Sequence, residues 1–164
     1  MMGLTLLELI LAVSIAGILI VVGVPSFIQL YQEHHLKTTV QNLYYVLQYA
    51  RSEAIKNNTT VYAVFTPGAN WCYGIRAGAS CTCSLANSCT LGNYSAPSAQ
   101  DSSLAVTGMS SNSIQFDGTH AATNTSSTII FTLYGQSTNF GVKVSAMGNI
   151  QLCSSNLSGY PTCS

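Results

Sequence analysis

The sequence predicts an α+β protein in which one long N-terminal helix is followed by antiparallel strands and covers one face of their sheet. Three observations predict it. Residues 4–24 are mostly Leu, Ile, Val and Ala. Leu36, Val40, Leu43, Leu47, Ala50 and Ala54 then recur at spacings of 4-3-4-3-4, which draws one apolar seam down a helix. Beyond Asn58 the apolar period falls to two, the repeat of half-buried strands.

The apolar run comes first. Its 21 residues contain one ionisable side chain, Glu8. At 1.5 Å per residue they make a helix about 31 Å long, enough to span the hydrocarbon of a bilayer. A carboxylate inside such a segment costs about 2.5–3.5 kcal/mol on insertion scales and calls for a partner. An ordinary secretory signal would need a basic start, a shorter apolar core and a small-residue cleavage site. Here no Lys or Arg precedes Lys37, and the core runs straight into Pro25-Ser26-Phe27. The segment is therefore expected to be retained as a transmembrane anchor.

Pro25 removes an i→i−4 bond, and Gly17 and Gly23 weaken the same region, so a kink or local melting is expected there. The seam then carries the helix to Asn57-Asn58, with Tyr44, Tyr45 and Tyr49 flanking it. A helix over 5–57 would be about 80 Å long. Strands are expected at 60–65 and 71–76, joined by the Pro67-Gly68 turn, and at 113–116 and 128–133. Phe140, Val142 and Val144 mark a further strand that turns at Ala146-Met147-Gly148 and returns over 149–153. Residues 77–100, 118–126 and 154–164 read as loops.

Six cysteines, Cys72, Cys81, Cys83, Cys89, Cys153 and Cys163, all follow the apolar run. An even count in loop-rich sequence after an export-like segment predicts disulfides in an oxidising compartment. Six cysteines allow about fifteen connectivities, and Cys153 with Cys163 is the pair expected first. The rival reading is a metal site on Cys81, Cys83 and Cys89, although no second cysteine pair or spaced histidine completes it. No metal and no cofactor is expected.

Only five Asp or Glu and five Lys or Arg are present, and the net charge is zero. Ser, Thr, Asn, Gln and nine Tyr supply the polarity instead, a surface suited to packed subunit contacts rather than charge steering. Arg76, Lys143 and Lys56 are the candidates for phosphate contacts, but they are scattered single cations. Asp101, Asp117, His120 and the pair His34-His35 have no partners at catalytic spacing. The nucleophile-elbow, zinc-protease and phosphate-loop patterns are missing. The chain is not expected to be an enzyme.

Gly3-Leu-Thr-Leu-Leu-Glu8 resembles the processing site of type IV pilins and type II secretion pseudopilins. The resemblance implies a leader, residues 1–3, removed after Gly3 by a prepilin peptidase that methylates the new N-terminus at Leu4. It makes Glu8 the assembly glutamate, paired with the N-terminal amine of a neighbouring subunit; a buried carboxylate and a buried ammonium are each costly alone and tolerable together. Leu4 stands where the family usually has phenylalanine, and the leader lacks the usual Lys or Arg. Thr5-x-x-Glu8 also fits a capping box, which places the carboxylate at the same helix start.

Ala50-Arg-Ser-Glu-Ala-Ile55 and Val142-Lys-Val-Ser-Ala-Met-Gly148 resemble the GspH/FimT (FimU-like) group of minor pilins and pseudopilins. The type IV pilin fold then implies four parts: leader 1–3, transmembrane half-helix 4–24, amphipathic half-helix 25–58 and β-rich head 59–164 with disulfide-tied loops. Some members bind DNA through a C-terminal Gly-Arg-x-Arg. The corresponding Gly148-Asn149-Ile150-Gln151 has neither arginine, so phosphate binding loses its main term. The expected role is a minor pilin incorporated in, or priming, a type IV pilus. A type II secretion pseudopilin is the alternative, and a DNA-binding pilin is disfavoured. Expected partners are other major and minor pilins, the peptidase and, before assembly, the inner membrane, with the head in the periplasm.

Overall fold

A computed structural model of the chain describes residues 5–96, 102–107, 112–133 and 137–163, apart from the side chains at 21–23, 25, 106 and 107. Helix α1 spans Leu6–Asn57 and is assigned without interruption through Gly17, Gly23 and Pro25. Eight strands follow: β1 Val61–Thr66, β2 Cys72–Ala77, β3 Gly92–Ser95, β4 Ser102–Thr107, β5 Ser113–Phe116, β6 Ser127–Leu133, β7 Asn139–Val144 and β8 Ile150–Cys153. The chain divides into two compact units, Met1–His35 and Leu36–Ser164.

Both ends of α1 are set by short polar side chains or a left-handed residue. Thr5 is the N-cap: its Oγ1 accepts the Glu8 N–H at 3.3 Å, and its carbonyl accepts the Leu9 N–H at 3.2 Å. At the far end Asn58 takes φ 48°. The Asn58 N–H then reaches the Ile55 carbonyl and the Thr59 N–H reaches the Ala54 carbonyl. This is the Schellman closure, and asparagine tolerates the left-handed position better than most residues.

In the second unit the predicted seam is the buried face. Leu36, Val40, Leu43, Leu47, Ala50 and Ala54 are all 0–1% exposed. They share one core with the inner residues of the strands, among them Val61, Ala63, Ile75, Ile114, Phe116, Ile129, Phe131 and Val142. Truncating Leu43 or Leu47 to Ala in such a core costs about 2–5 kcal/mol.

The single sheet expected from the sequence is instead two four-stranded antiparallel sheets, ordered β3-β2-β1-β5 and β4-β6-β7-β8. Trp71, just before β2, meets Phe131 of β6 edge-on with ring centroids 4.9 Å apart. A bridge between Gly68 and Leu104 joins the two sheets. Residues 77–100, expected to be all loop, contain β3, whose Gly-Asn-Tyr-Ser carries no apolar alternation and is mostly exposed. It forms because it pairs with β2, from Cys72↔Ser95 to Ile75↔Gly92. Strand β4 was likewise not expected. Its Ser-Ser-Leu-Ala-Val-Thr is recruited as an edge by six registered pairs with β6.

The β1–β2 hairpin, the β7–β8 hairpin and strands β5 and β6 lie where the period-two pattern puts them, with ends shifted by a residue or two.

The six cysteines bond as Cys72–Cys83, Cys81–Cys89 and Cys153–Cys163. Cys81 and Cys83 are therefore not free thiolates, and the metal reading falls with them. The first two bonds hold residues 78–91 against the outer face of the first sheet. There Cys72, Cys83 and Cys89 form a small second core with Val64. Gly74 of β2 makes room for it. The third bond ties down the C-terminal segment, where Tyr160 meets Phe140 edge-on at 4.8 Å.

Candidate functional site

Gly3 and Leu4, the expected processing positions, lie outside the described residues. In the first unit Glu8 is exposed, one turn inside the helix start capped by Thr5. Its carboxylate therefore sits at the positive end of the helix dipole, where a negative charge is favoured. Leu6 and Leu7 are 78% and 74% exposed, and the apolar exposure continues through Ile10, Leu11, Ile18 and Phe27 to Leu30. Leu7, Leu11, Ile15 and Ile18 recur at spacings of 4-4-3 and flank, with Ser14, an apolar groove along the helix. The Ser14 hydroxyl is turned back on its own helix, donating to the Ile10 carbonyl at 2.8 Å. Burial of such a surface stabilises by about 25 cal/mol per Å². Among the described residues no helix is long and apolar enough to cross a membrane.

The two stretches that carried the narrower resemblance meet in the second unit. Gly148 turns the β7–β8 hairpin with φ 75°, and its N–H donates to the Ser145 carbonyl at 2.8 Å. A Cβ at Gly148 would collide with the Ala121 carbonyl oxygen and approach Arg51 Nε to 3.4 Å. Arg51 of the helix is thus packed under the hairpin, where its Nε is buried with no hydrogen-bond partner among the described residues.

The cations proposed for phosphate contact do not converge. Lys56 pairs with Glu53 at 3.7 Å within the last helical turn. Arg76 Nη1 donates to the Ser88 carbonyl at 3.4 Å and so braces the disulfide-held loop. Lys143 stands on the outer face of the second sheet, opposite Gln151 and Thr128.

His34 and His35 are on the helix, and the His35 ring stacks on Tyr31 at 6.4 Å. His120 Nδ1 lies 3.5 Å from Asp117 Oδ2 at an exposed loop. Backbone N–H bonds from His120 and Thr119 hold the Asp117 carboxyl below the usual carboxylate range, against a smaller opposing effect of desolvation. Asp101 lies outside the described residues. Among the described residues no three His, Cys, Asp or Glu side chains are grouped to hold a metal ion.

Sequence reasoning missed a recess of about 280 Å³ on the outer face of the first sheet, lined by Thr60, Gln115, Asp117, Ala122, Thr123 and Asn124. The signal was available in part. Gln115 and Asp117 alternate with buried Ile114 and Phe116, so they must share the opposite face. What sequence could not supply was the pairing that brings Thr60 and Asn124 beside them.

The profile of the family described as type II transport protein GspH matches residues 39–156. No curated protein matches the chain. Two crystal structures of the Pseudomonas aeruginosa type IV minor pilin FimU are similar to it. One is 20% identical, covers 73% of this chain and 89% of its own, and superposes with a TM-score of 0.57. The second, in another crystal form, is 20% identical over 71% of this chain and 91% of its own, with a TM-score of 0.53. At that identity the likeness establishes a shared fold. The family match covers the helix seam from Val40 onward, both sheets and the Arg51–Gly148 contact, and by it the chain belongs to the GspH family of type II transport proteins.

Proposed function

We propose that the chain is a minor pilin, a subunit incorporated in or priming a type IV pilus. In this reading residues 4–24 hold it in the bacterial inner membrane with the head in the periplasm until it joins other pilins in a filament on the cell surface. A prepilin peptidase cuts after Gly3 and methylates Leu4. Glu8 then pairs with the terminal amine of a neighbouring subunit, and the cost of placing either charge in an apolar bundle is offset by the other.

The observation that carries the reading is the exposed apolar surface from Leu6 to Leu30 on the first unit of a chain whose second unit belongs to the GspH family. Such a surface needs lipid or other helices around it. The FimU likeness adds a fold used by a type IV minor pilin. The family description, a type II transport protein, favours one second reading: a pseudopilin of a secretion system built by the same helix chemistry.

Sheared surface filaments from cells expressing the chain provide the test. Immunodetection of the chain in the filament fraction, lost when the host's major pilin is deleted, supports the pilus reading. Recovery in filaments only when a secretion operon is expressed supports the pseudopilus. Retention in the membrane fraction under both conditions contradicts both.

A further inference from the structure

Antiparallel pairing places Thr60, Tyr62, Gln115 and Asp117 together on the outer face of the first sheet. Tyr62 stands opposite Gln115 in the β1–β5 register, and Val61 opposite Phe116 puts Thr60 next to Asp117. Directly opposed side chains on one face have Cβ atoms about 4.5–5.5 Å apart. The inner face at these positions is filled by Val61, Ala63, Ile114 and Phe116, so the polar set can only face away from the core.

The disulfide-held loop covers one end of this outer face, over Val64, Cys72 and Gly74. It stops at Arg76, which faces Tyr62 across the β1–β2 pair and is bonded to the loop at the Ser88 carbonyl. The other end is left as the recess lined by Thr60, Gln115, Asp117 and Asn124.

Three features narrow what the recess can take. Strand addition is blocked, because segment 122–124 already occupies the edge of β5. Asn124 Oδ1 accepts the Gln115 N–H at 3.2 Å, the Ala122 carbonyl accepts the Asp117 N–H at 2.9 Å, and Thr123 bridges to Phe116. An anion is disfavoured by the Asp117 carboxylate. Among the described residues a metal ion finds one carboxylate there, whose Oδ2 already accepts the Thr119 and His120 N–H groups.

What is offered instead is the remaining accepting capacity of the Asp117 carboxylate, the Gln115 carboxamide, the amide group of Asn124 whose Oδ1 already accepts the Gln115 N–H, and the Thr60 hydroxyl, with a tyrosine beside them. Carboxylates accept from two hydroxyls at once, and carboxamides both donate and accept, which matches adjacent hydroxyls on a sugar ring. A neighbouring aromatic side chain complements the apolar C–H face of such a ring.

We propose that this recess is a binding site for a neutral saccharide, with Asp117, Gln115, Asn124 and Thr60 as its hydrogen-bonding groups and Tyr62 as its flanking ring. A shallow, solvated site of this kind binds a single sugar unit weakly and gains by repetition along a glycan or a filament. The proposal does not rest on filament assembly, since a subunit that never assembles would carry the same recess.

The test uses the full chain, isotope-labelled, in micelles of an amine-oxide detergent that carries no sugar headgroup. Methyl α-mannopyranoside, galactose and N-acetylglucosamine are each titrated to about 100 mM while amide and side-chain carboxamide shifts are followed. Saturable shifts centred on Gln115, Asp117 and Asn124 with at least one sugar are expected. Gln115→Ala, which removes an exposed-face side chain and leaves the backbone bond to Asn124, should weaken that binding about tenfold. Thr132→Ala on the other sheet should not change it. Absence of saturable shifts with all three sugars, shifts centred elsewhere, or equal binding by Gln115→Ala with its amide spectrum otherwise intact would overturn the proposal.

Discussion

Gly74 and Cys89 share one space: a Cβ on Gly74 would lie 2.5 Å from Cys89 Sγ and 2.8 Å from its Cβ. The glycine sits in the middle of β2, opposite Val64, where a side chain would ordinarily favour the strand. Its absence lets the Cys81–Cys89 bond descend onto the sheet and close the small core around Val64. Gly74→Ala therefore forces the loop outward or distorts β2. A loss of about 1–3 kcal/mol is expected, in the range of overpacked cores. Thermal denaturation measures the loss, and thiol alkylation shows whether Cys81 and Cys89 still pair.

The tail bond is a second point of stability. Cys153 and Cys163 are separated by 10 residues in sequence. Constraining a loop of that size in the unfolded chain stabilises by about 2–4 kcal/mol. The double variant Cys153→Ser, Cys163→Ser should lower the unfolding midpoint in urea accordingly while the spectrum of the first sheet stays unchanged. An unaltered midpoint would show that the tail adds nothing.

Tyr73 makes a prediction at alkaline pH. Burial, and secondarily the neighbouring Tyr94, push its hydroxyl well above the usual tyrosine value of 10.0. A group whose folded pKa is raised contributes stability that is fully present below its unfolded pKa and is lost as pH rises towards the folded one. Stability should thus decline above about pH 10. Tyr73→Phe should move the alkaline unfolding midpoint upward, read by circular dichroism. An unchanged midpoint would place the alkaline weakness elsewhere.

Asp117 gives the opposite sign at the acid end. Its folded pKa is depressed by the loop N–H bonds. The order it gives the loop should be complete above the ordinary carboxylate value of 3.8 and lost as pH falls through the lower folded one. Amide shifts of Thr119 and His120 should follow that titration and be insensitive to acid in Asp117→Asn. A titration at or above the ordinary value would contradict the assigned bonds.

Much of the fold could be read from the order of residues because its signals are local. The seam from Leu36 to Ala54 emerged as a buried helix face because helix periodicity needs no knowledge of the partner. Asn58 signalled the helix end by its tolerance of a left-handed backbone. Strands β3 and β4 were illegible because their own sequences, Gly-Asn-Tyr-Ser and Ser-Ser-Leu-Ala-Val-Thr, carry too little apolar alternation to mark a strand, unlike the equally peripheral β5 and β8, and their reason for existing lies in β2 and β6. The split into two sheets was hidden for the same reason, since pairing order is not a local property. The Arg51–Gly148 contact and the recess at Gln115 are likewise products of chain crossings between residues far apart in sequence.

Processing gives a separate check on the N-terminus. Gly3→Val should leave the leader attached, seen by mass spectrometry of the intact chain as the mass of residues 1–3 retained and the N-terminal methyl missing. Normal cleavage would count against a prepilin peptidase acting after Gly3.

The most direct measurement concerns Glu8. Wild type and Glu8→Ala are expressed at equal levels in cells that build filaments, and the chain is quantified in the sheared filament and membrane fractions. The account predicts that Glu8→Ala is processed and membrane-retained, with all three disulfides formed, yet depleted about tenfold or more from filaments, as loss of one charge pair in an apolar bundle implies. Incorporation of Glu8→Ala at the wild-type level would contradict it.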